Sequence, residues 1–132
     1  MAIADRHGLP VAVCTESASP AEVKLVTRTI EERFIADPPA RLIGDKAYDS
    51  DPLRWRLLER GILLISPHRA GRQKPSLNDG RELRRYRKRY KVERTFAWLG
   101  NYRRLLVRYD HDIKMYEAFF HVACLLITLR HL

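Results

Sequence analysis

The sequence predicts an α/β fold: a β-hairpin, a βαβ unit, a long basic helix and a C-terminal packing helix. Three observations predict it. A Val-rich alternating stretch follows a turn containing Gly8. Two short apolar runs, at 41–45 and 62–65, flank a stretch of helical spacing. From Arg81 almost to the end, the pattern is helical again.

Taken in order, residues 3–4 and 10–15 read as strands, and Asp5, Arg6, His7 and Gly8 form the turn between them. Residues 17–20 read as a loop. Ser19 is placed to cap a helix, Pro20 suits its first position, and Glu22 completes a capping box. The helix over 21–34 puts Val23, Val26, Ile30 and Phe34 on one face, and Asp37, Pro38 and Pro39 end it. Residues 41–45 form a strand that stops at Asp45. Asp51 and Pro52 start a second helix with Leu53, Leu57 and Leu58 as its inner stripe, and Gly61 closes it. The unbroken run at 62–65 suits a strand buried on both faces. Strand, helix and strand joined by short loops normally give a parallel pair with a right-handed crossover. Residues 67–80, rich in Gly, Pro and cations, read as a flexible basic loop. Helix follows over 81–98, with Tyr86, Tyr90, Glu93 and Ala97 on one face. Residues 101–108 bend the path, and 113–132 form the packing helix. There is no internal repeat, so residues 1–132 read as a single domain. The chain starts without a polar lead-in, as though inside a fold.

With 132 residues, 45% of them hydrophobic, the chain can bury a core. Its formal charge of +9 concerns partners rather than fold. That charge is concentrated. Between Arg69 and Arg108, 14 Lys or Arg stand against Asp79, Glu82 and Glu93, a net +11, which leaves the remainder at −2. A patch of this kind is the footprint of a phosphate-backbone binder, although a solvated basic surface has the same composition. Cys14 and Cys124 offer no disulfide framework or CxxC motif. No 18-residue apolar stretch or signal-peptide pattern is present, which gives the expectation of a cytoplasmic, nucleoid-associated protein without a membrane span.

Two acids look chemical. Asp45 sits at the C-terminal end of an apolar strand, where open α/β sheets place their sites, although a strand-end Asp also caps loops. Glu93 lies among Arg85, Arg87, Lys88, Arg89, Lys91 and Arg94. It reads either as a Mg²⁺ ligand or as an intrahelical partner of Arg89 or Arg94. In-line displacement at phosphorus uses hard oxygen ligands, which favours Asp and Glu over Cys and His. Asp49 and Asp51 read as turn and cap residues, His68 as a weak candidate for phosphate contact, and His121 as a packed histidine.

These residues carry a resemblance. Gly44-Asp45-Lys46-Ala47-Tyr48-Asp49-Ser50 resembles the segment around the second catalytic Asp of DDE transposases of bacterial insertion sequences, family-five type. Tyr86, Arg89 and Glu93 match that family's Y-x2-R-x3-E signature, in the context Val92-Glu93-Arg94-Thr95-Phe96-Ala97-Trp98-Leu99. The hairpin at 5–13 is similar to the family's second and third strands, so the resemblance covers essentially the whole chain. It implies a partial ribonuclease-H-like catalytic core, a two-Mg²⁺ site, and cleavage and strand transfer of element-end DNA. Asp45 and Glu93 would be catalytic and metal-binding. Tyr86 and Arg89 would grip DNA phosphate, and Arg85, Lys88, Arg94, Arg103 and Arg104 are further DNA-binding candidates. The implied partners are DNA and either a homo-oligomer or a transposase part encoded upstream.

The chain departs from the family pattern at two points. The family's first catalytic Asp lies on a strand upstream of the hairpin, which gives the expectation of an N-terminally incomplete domain, inactive alone. Asp5 corresponds to the hairpin turn and reads as structural. The signature's final Lys falls at Gly100, with Arg103 and Arg104 nearby. Two other readings stand beside the transposase. One is a non-catalytic DNA-binding remnant, separable by a nicking assay. The other is an unrelated basic RNA-binding domain, disfavoured because the aromatics fall at helical positions rather than on strands.

Overall fold

The computed structural model describes residues 1–16 and 21–131, so the expected loop at 17–20, with the Ser19 and Pro20 caps, lies outside the described residues. The hairpin forms as expected: strand β1 (Ala2–Ala4) pairs antiparallel with β2 (Pro10–Val13). Its turn requires a positive φ, and Gly8 supplies one of 87° without the clash a Cβ would bring. The Asp5 carboxylate clasps the turn, accepting from the backbone N–H groups of His7 at 2.8 Å and Leu9 at 2.9 Å.

Helix α1 (Glu22–Glu31) buries Val26, Thr29 and Ile30. It stops short of the expected Phe34 because β2 competes for the backbone. Arg33 bridges to Ala12, and the Phe34 N–H donates to the Val11 carbonyl at 2.8 Å. Phe34 thereby leaves the inner face and is 47% exposed. The βαβ unit is present: β3 (Arg41–Ile43) lies parallel to β4 (Leu63–Ile65), and α2 (Asp51–Leu58) connects them. Leu53 and Leu57 are buried, but Leu58 is exposed. Adjacent residues differ by about 100° around a helix, so Leu57 and Leu58 cannot share the inner face.

The segment 67–80 contains no strand, but hydrogen bonds tie it to the βαβ unit. The buried Asn78 side chain accepts from the Ser66 N–H at 3.2 Å and donates to the Leu64 carbonyl at 3.2 Å. Asp79 then caps α3 (Gly80–Tyr86) through a capping box with Glu82. The long basic helix is not continuous. One 3-10 turn, Arg87–Arg89, separates α3 from α4 (Tyr90–Leu99). The backbone stays right-handed throughout, and only the bonding tightens, a distinction that residue propensity does not encode. A short α5 (Arg103–Leu106) provides the expected bend, and α6 (Ile113–His131) packs on β2 and α4.

The described strands form two separate two-stranded sheets, each with its own core. Val26, Ile30, Leu53, Leu57, Ile62 and Leu64 form the core of the βαβ half. Val13, Leu99, Ala123, Cys124 and Ile127 form that of the hairpin half. Fully burying a side chain such as Leu57 stabilises by about 1.5–3 kcal/mol. A buried hydrogen bond ties α4 to the hairpin: the Thr95 hydroxyl donates to the Gly8 carbonyl at 2.6 Å. A Cβ at Gly8 would also sit 3.0 Å from the Lys91 carbonyl, so the turn and α4 can approach this closely only with glycine there.

Candidate active-site cleft

Between the two half-sheets lies a cleft of about 770 Å³, lined by β1, β3, α1, α4 and the 3-10 turn before α4. Asp45 reaches it from the end of β3. The chain turns sharply there into a 3-10 turn, Lys46–Tyr48, and the Asp45 carboxylate caps that turn by accepting from the Ala47 N–H at 2.8 Å. Gly44 permits the turn, since a Cβ there would meet the Tyr48 ring at 2.9 Å. The Tyr48 hydroxyl donates to Glu22 at 2.9 Å, and burial, then Glu22, pushes its pKa well above the usual tyrosine value. Glu22 thus pairs with Tyr48 and also lines the cleft.

Glu93 enters the cleft from α4 and forms an ion pair with Arg89 at 3.3 Å, with 63% of its side chain exposed. Both sequence readings of these acids therefore have a structural counterpart: each carboxylate has a local partner, and each lines the cleft. Lys88 and Arg89 line it as well. Tyr86 does not, but it carries the Arg89 guanidinium 5.7 Å from its ring centroid, close enough for a cation–π contact.

The remaining candidate cations lie outside the cleft lining. Arg85 is exposed on α3. Arg94 is exposed on α4 with its guanidinium 6.0 Å from the Trp98 ring centroid. Arg103 and Arg104 are exposed on α5, and Arg104 packs over Phe119 at 4.5 Å. Sequence reasoning missed Arg6, Arg41 and Lys91 as cleft residues. Position along the chain carried no signal for Arg6 and Arg41, and Lys91 was noted only as part of the crowd around Glu93. Asp5 also borders the cleft, but its carboxylate is committed to the hairpin turn.

A second ionic cluster, outside the cleft lining, ties the start of α2 to the segment 67–80. The Asp49 side chain, 4% exposed, meets Arg72 at 2.7 Å, the Arg69 N–H at 3.0 Å, and Arg54 and His68 at 3.4 Å each. Burial alone would raise its pKa, but the Arg69 N–H and Arg72 outweigh burial and hold it below the ordinary value. Asp51 is held low chiefly by its bond with Arg72. Arg54 extends the cluster, donating to the Leu64 carbonyl at 2.8 Å and to Asn78 at 3.0 Å. The turn-and-cap reading of Asp49 and Asp51 thus missed their larger role, because Arg72 is over 20 positions away.

Asp45 and Glu93 offer the hard oxygen donors that suit a divalent ion, but no three side chains able to hold a metal come together among the described residues. This part of the molecule supplies two carboxylates of suitable chemistry and not a closed metal cage. No helix is long and apolar enough to cross a membrane among the described residues.

A mixed α/β domain whose acidic residues share a cleft with a run of arginine and lysine defines a polyanion-handling class of protein. The comparisons with known proteins make the class specific. The family model described as the transposase DDE domain matches residues 1–128, and the chain belongs to that family. It is 31% identical over 143 residues to the transposase assigned to insertion sequence element IS402 of Burkholderia cepacia, an alignment covering 97% of this chain and 62% of the relative. It is also 31% identical over 93 residues to the transposase assigned to insertion sequence element IS6501 of Brucella ovis, covering 67% of each. The chain thus spans less than two thirds of the length of the first of these. No solved structure matches. Members of the family act on DNA in transposition and generally use divalent metal ions.

Proposed function

We propose that this chain contributes part of a ribonuclease-H-like catalytic core that cuts the DNA ends of an insertion sequence and joins them to target DNA. The observation that carries the reading is the shared cleft: Asp45 and Glu93, far apart in sequence, line one cavity together with Lys88 and Arg89. Asp45 and Glu93 would hold a divalent ion, which when bound supplies Lewis-acid activation of the attacking and leaving oxygens. Lys88 and Arg89 neutralise the phosphate that enters. Tyr86 supports the Arg89 guanidinium by its ring face. Arg85, Arg94, Arg103 and Arg104 hold the flanking duplex by charge, giving register without sequence readout. A third carboxylate comes from outside these 132 residues, so the chain alone binds DNA without completing transposition. The assembled enzyme works as an oligomer or with a further transposase part.

A second reading, DNA binding without cleavage, is favoured by the Arg89–Glu93 ion pair, which already occupies one carboxylate. Incubating the chain with element-end DNA and Mn²⁺ separates the two. Metal-dependent nicking abolished by Asp45→Asn supports a catalytic role for Asp45 and refutes the incompleteness. Binding without nicking, together with a metal titration that Asp45→Asn weakens, supports the incomplete catalytic core. Binding with no measurable metal affinity leaves the non-catalytic reading.

A further inference from the structure

We infer that the outer face of α6 is a homodimer interface, on which a second copy of this chain lays its own α6 antiparallel. This supplies a contact surface for the oligomer proposed above, yet it stands on α6 alone and takes nothing from the cleft.

Helix α6 is apolar on two sides. Residues 118–129 contain no Asp, Glu, Lys or Arg. One side closes the hairpin core, where Ala123, Cys124 and Ile127 are buried and Phe120 packs against them. The other side carries Met115, Ala118, Val122, Leu125 and Leu129, spaced alternately by three and four residues. That spacing draws one narrow stripe along a helix, the seam by which two helices pack knobs into holes. All five residues are exposed, and the four larger ones are 50% to 62% exposed. The outer face of an ordinary surface helix is polar, whereas a helix apolar all round is one that is covered all round. Packing against β2, α4 and α5 covers only the inner side of α6.

The stripe is complementary to itself, as a two-fold interface requires. When two copies of α6 lie antiparallel about an axis between Val122 and Leu125, Val122 meets the partner's Leu125 and Ala118 meets the partner's Leu129, each pair formed twice. Every layer then sets a smaller side chain against a larger one, which lets the two rows interdigitate. A parallel pair would stack Leu125 on Leu125 and Ala118 on Ala118, crowding one layer and hollowing the other. Antiparallel packing also brings each helix N-terminus beside the partner's C-terminus, which the helix dipoles favour. The uncharged centre of α6 places no like charges across the seam. Leu126, also exposed, widens the stripe on one flank. On the other flank, the exposed Phe34 ring meets the His121 ring edge-on at 5.5 Å. The patch is on the order of 500 Å², the size that marks an interaction site on a monomer. Two such patches face to face remove about 1,000 Å² from water, where specific interfaces begin.

The test is sedimentation equilibrium on the full chain without DNA or metal, so it succeeds or fails independently of the cleft's chemistry. The average mass should rise from that of one chain toward twice that value between micromolar and submillimolar concentration. Val122→Lys and Leu125→Glu, both at exposed positions, should keep the native circular dichroism spectrum. Each should raise the dimer dissociation constant at least about a hundredfold, because each desolvates an unpaired charge in two layers. An equimolar mixture of the two variants should dimerise again, since the mixed pair has one ion-paired layer and one native layer at the axis. Under mild oxidation, Ala118→Cys should cross-link to Leu129→Cys and neither variant to itself. A chain that stays monomeric throughout, association that both charged variants leave intact, no recovery on mixing, or self-cross-linking of Ala118→Cys would each overturn the inference.

Discussion

Thr95 shows how much one hydroxyl can decide. It is fully buried and bridges α4 to the turn of the hairpin through Gly8. Thr95→Val keeps the shape and orphans the Gly8 carbonyl, so urea unfolding should register a loss of about 1–3 kcal/mol. Arg54→Met should cost more, about 3–5 kcal/mol, because it removes a cation from a buried cluster and leaves Asp49 and Asn78 short of a partner. The same cluster sets an acid limit. Asp49 and Asp51 both have folded-state pKa values below the ordinary one. Their contribution is present above the unfolded value of about 4 and is lost as pH falls through the lower folded values. Urea midpoints should accordingly hold steady from neutral pH down to about 5 and drop below about 4, and Arg72→Ala should flatten that drop. A drop of equal depth in the variant would show that other groups set the limit. Among the residues proposed to bind DNA, Arg89→Ala should weaken DNA binding while the circular dichroism spectrum stays native. Unfolding on that change would make Arg89 structural.

At the scale of elements, the sequence was legible where a period or a chemical stop signal was strong. The hairpin, the βαβ pairing and the C-terminal helix follow from alternation, apolar runs and the turn residues around them. What the sequence did not show were contests settled by distant partners. Helix α1 yields its last turn to β2, Leu58 faces solvent, and the basic stretch tightens at Arg87–Arg89. The candidate site divides in the same way. Asp45 and Glu93 were visible from motif spacing, whereas Arg41 and Arg6 enter the cleft only because β1 and β3 come together around it. The charge along α3 and α4 leads to a binding prediction. DNA affinity should fall roughly 10³-fold between about 50 and 200 mM salt if some six phosphates are neutralised. Removing Lys88 should lower the slope of log affinity against log salt by about one if it is one of those contacts. An unchanged slope would take Lys88 off the phosphate path.

For the whole molecule, the notable feature is that two half-sheets with distinct buried clusters are joined by α1 and by Met1 and Ile3, which pack against the βαβ core, with no ladder running between them among the described residues. Single domains of this size usually melt as one cooperative unit, with the calorimetric enthalpy equal to the van't Hoff enthalpy. Here the buried side chains fall into two clusters, joined chiefly through α1, Met1 and Ile3. Scanning calorimetry should therefore return a calorimetric enthalpy larger than the van't Hoff value. The hairpin with α4 and α6 and the βαβ half with α1 would loosen at different temperatures, so heat would first widen the gap where the two halves meet.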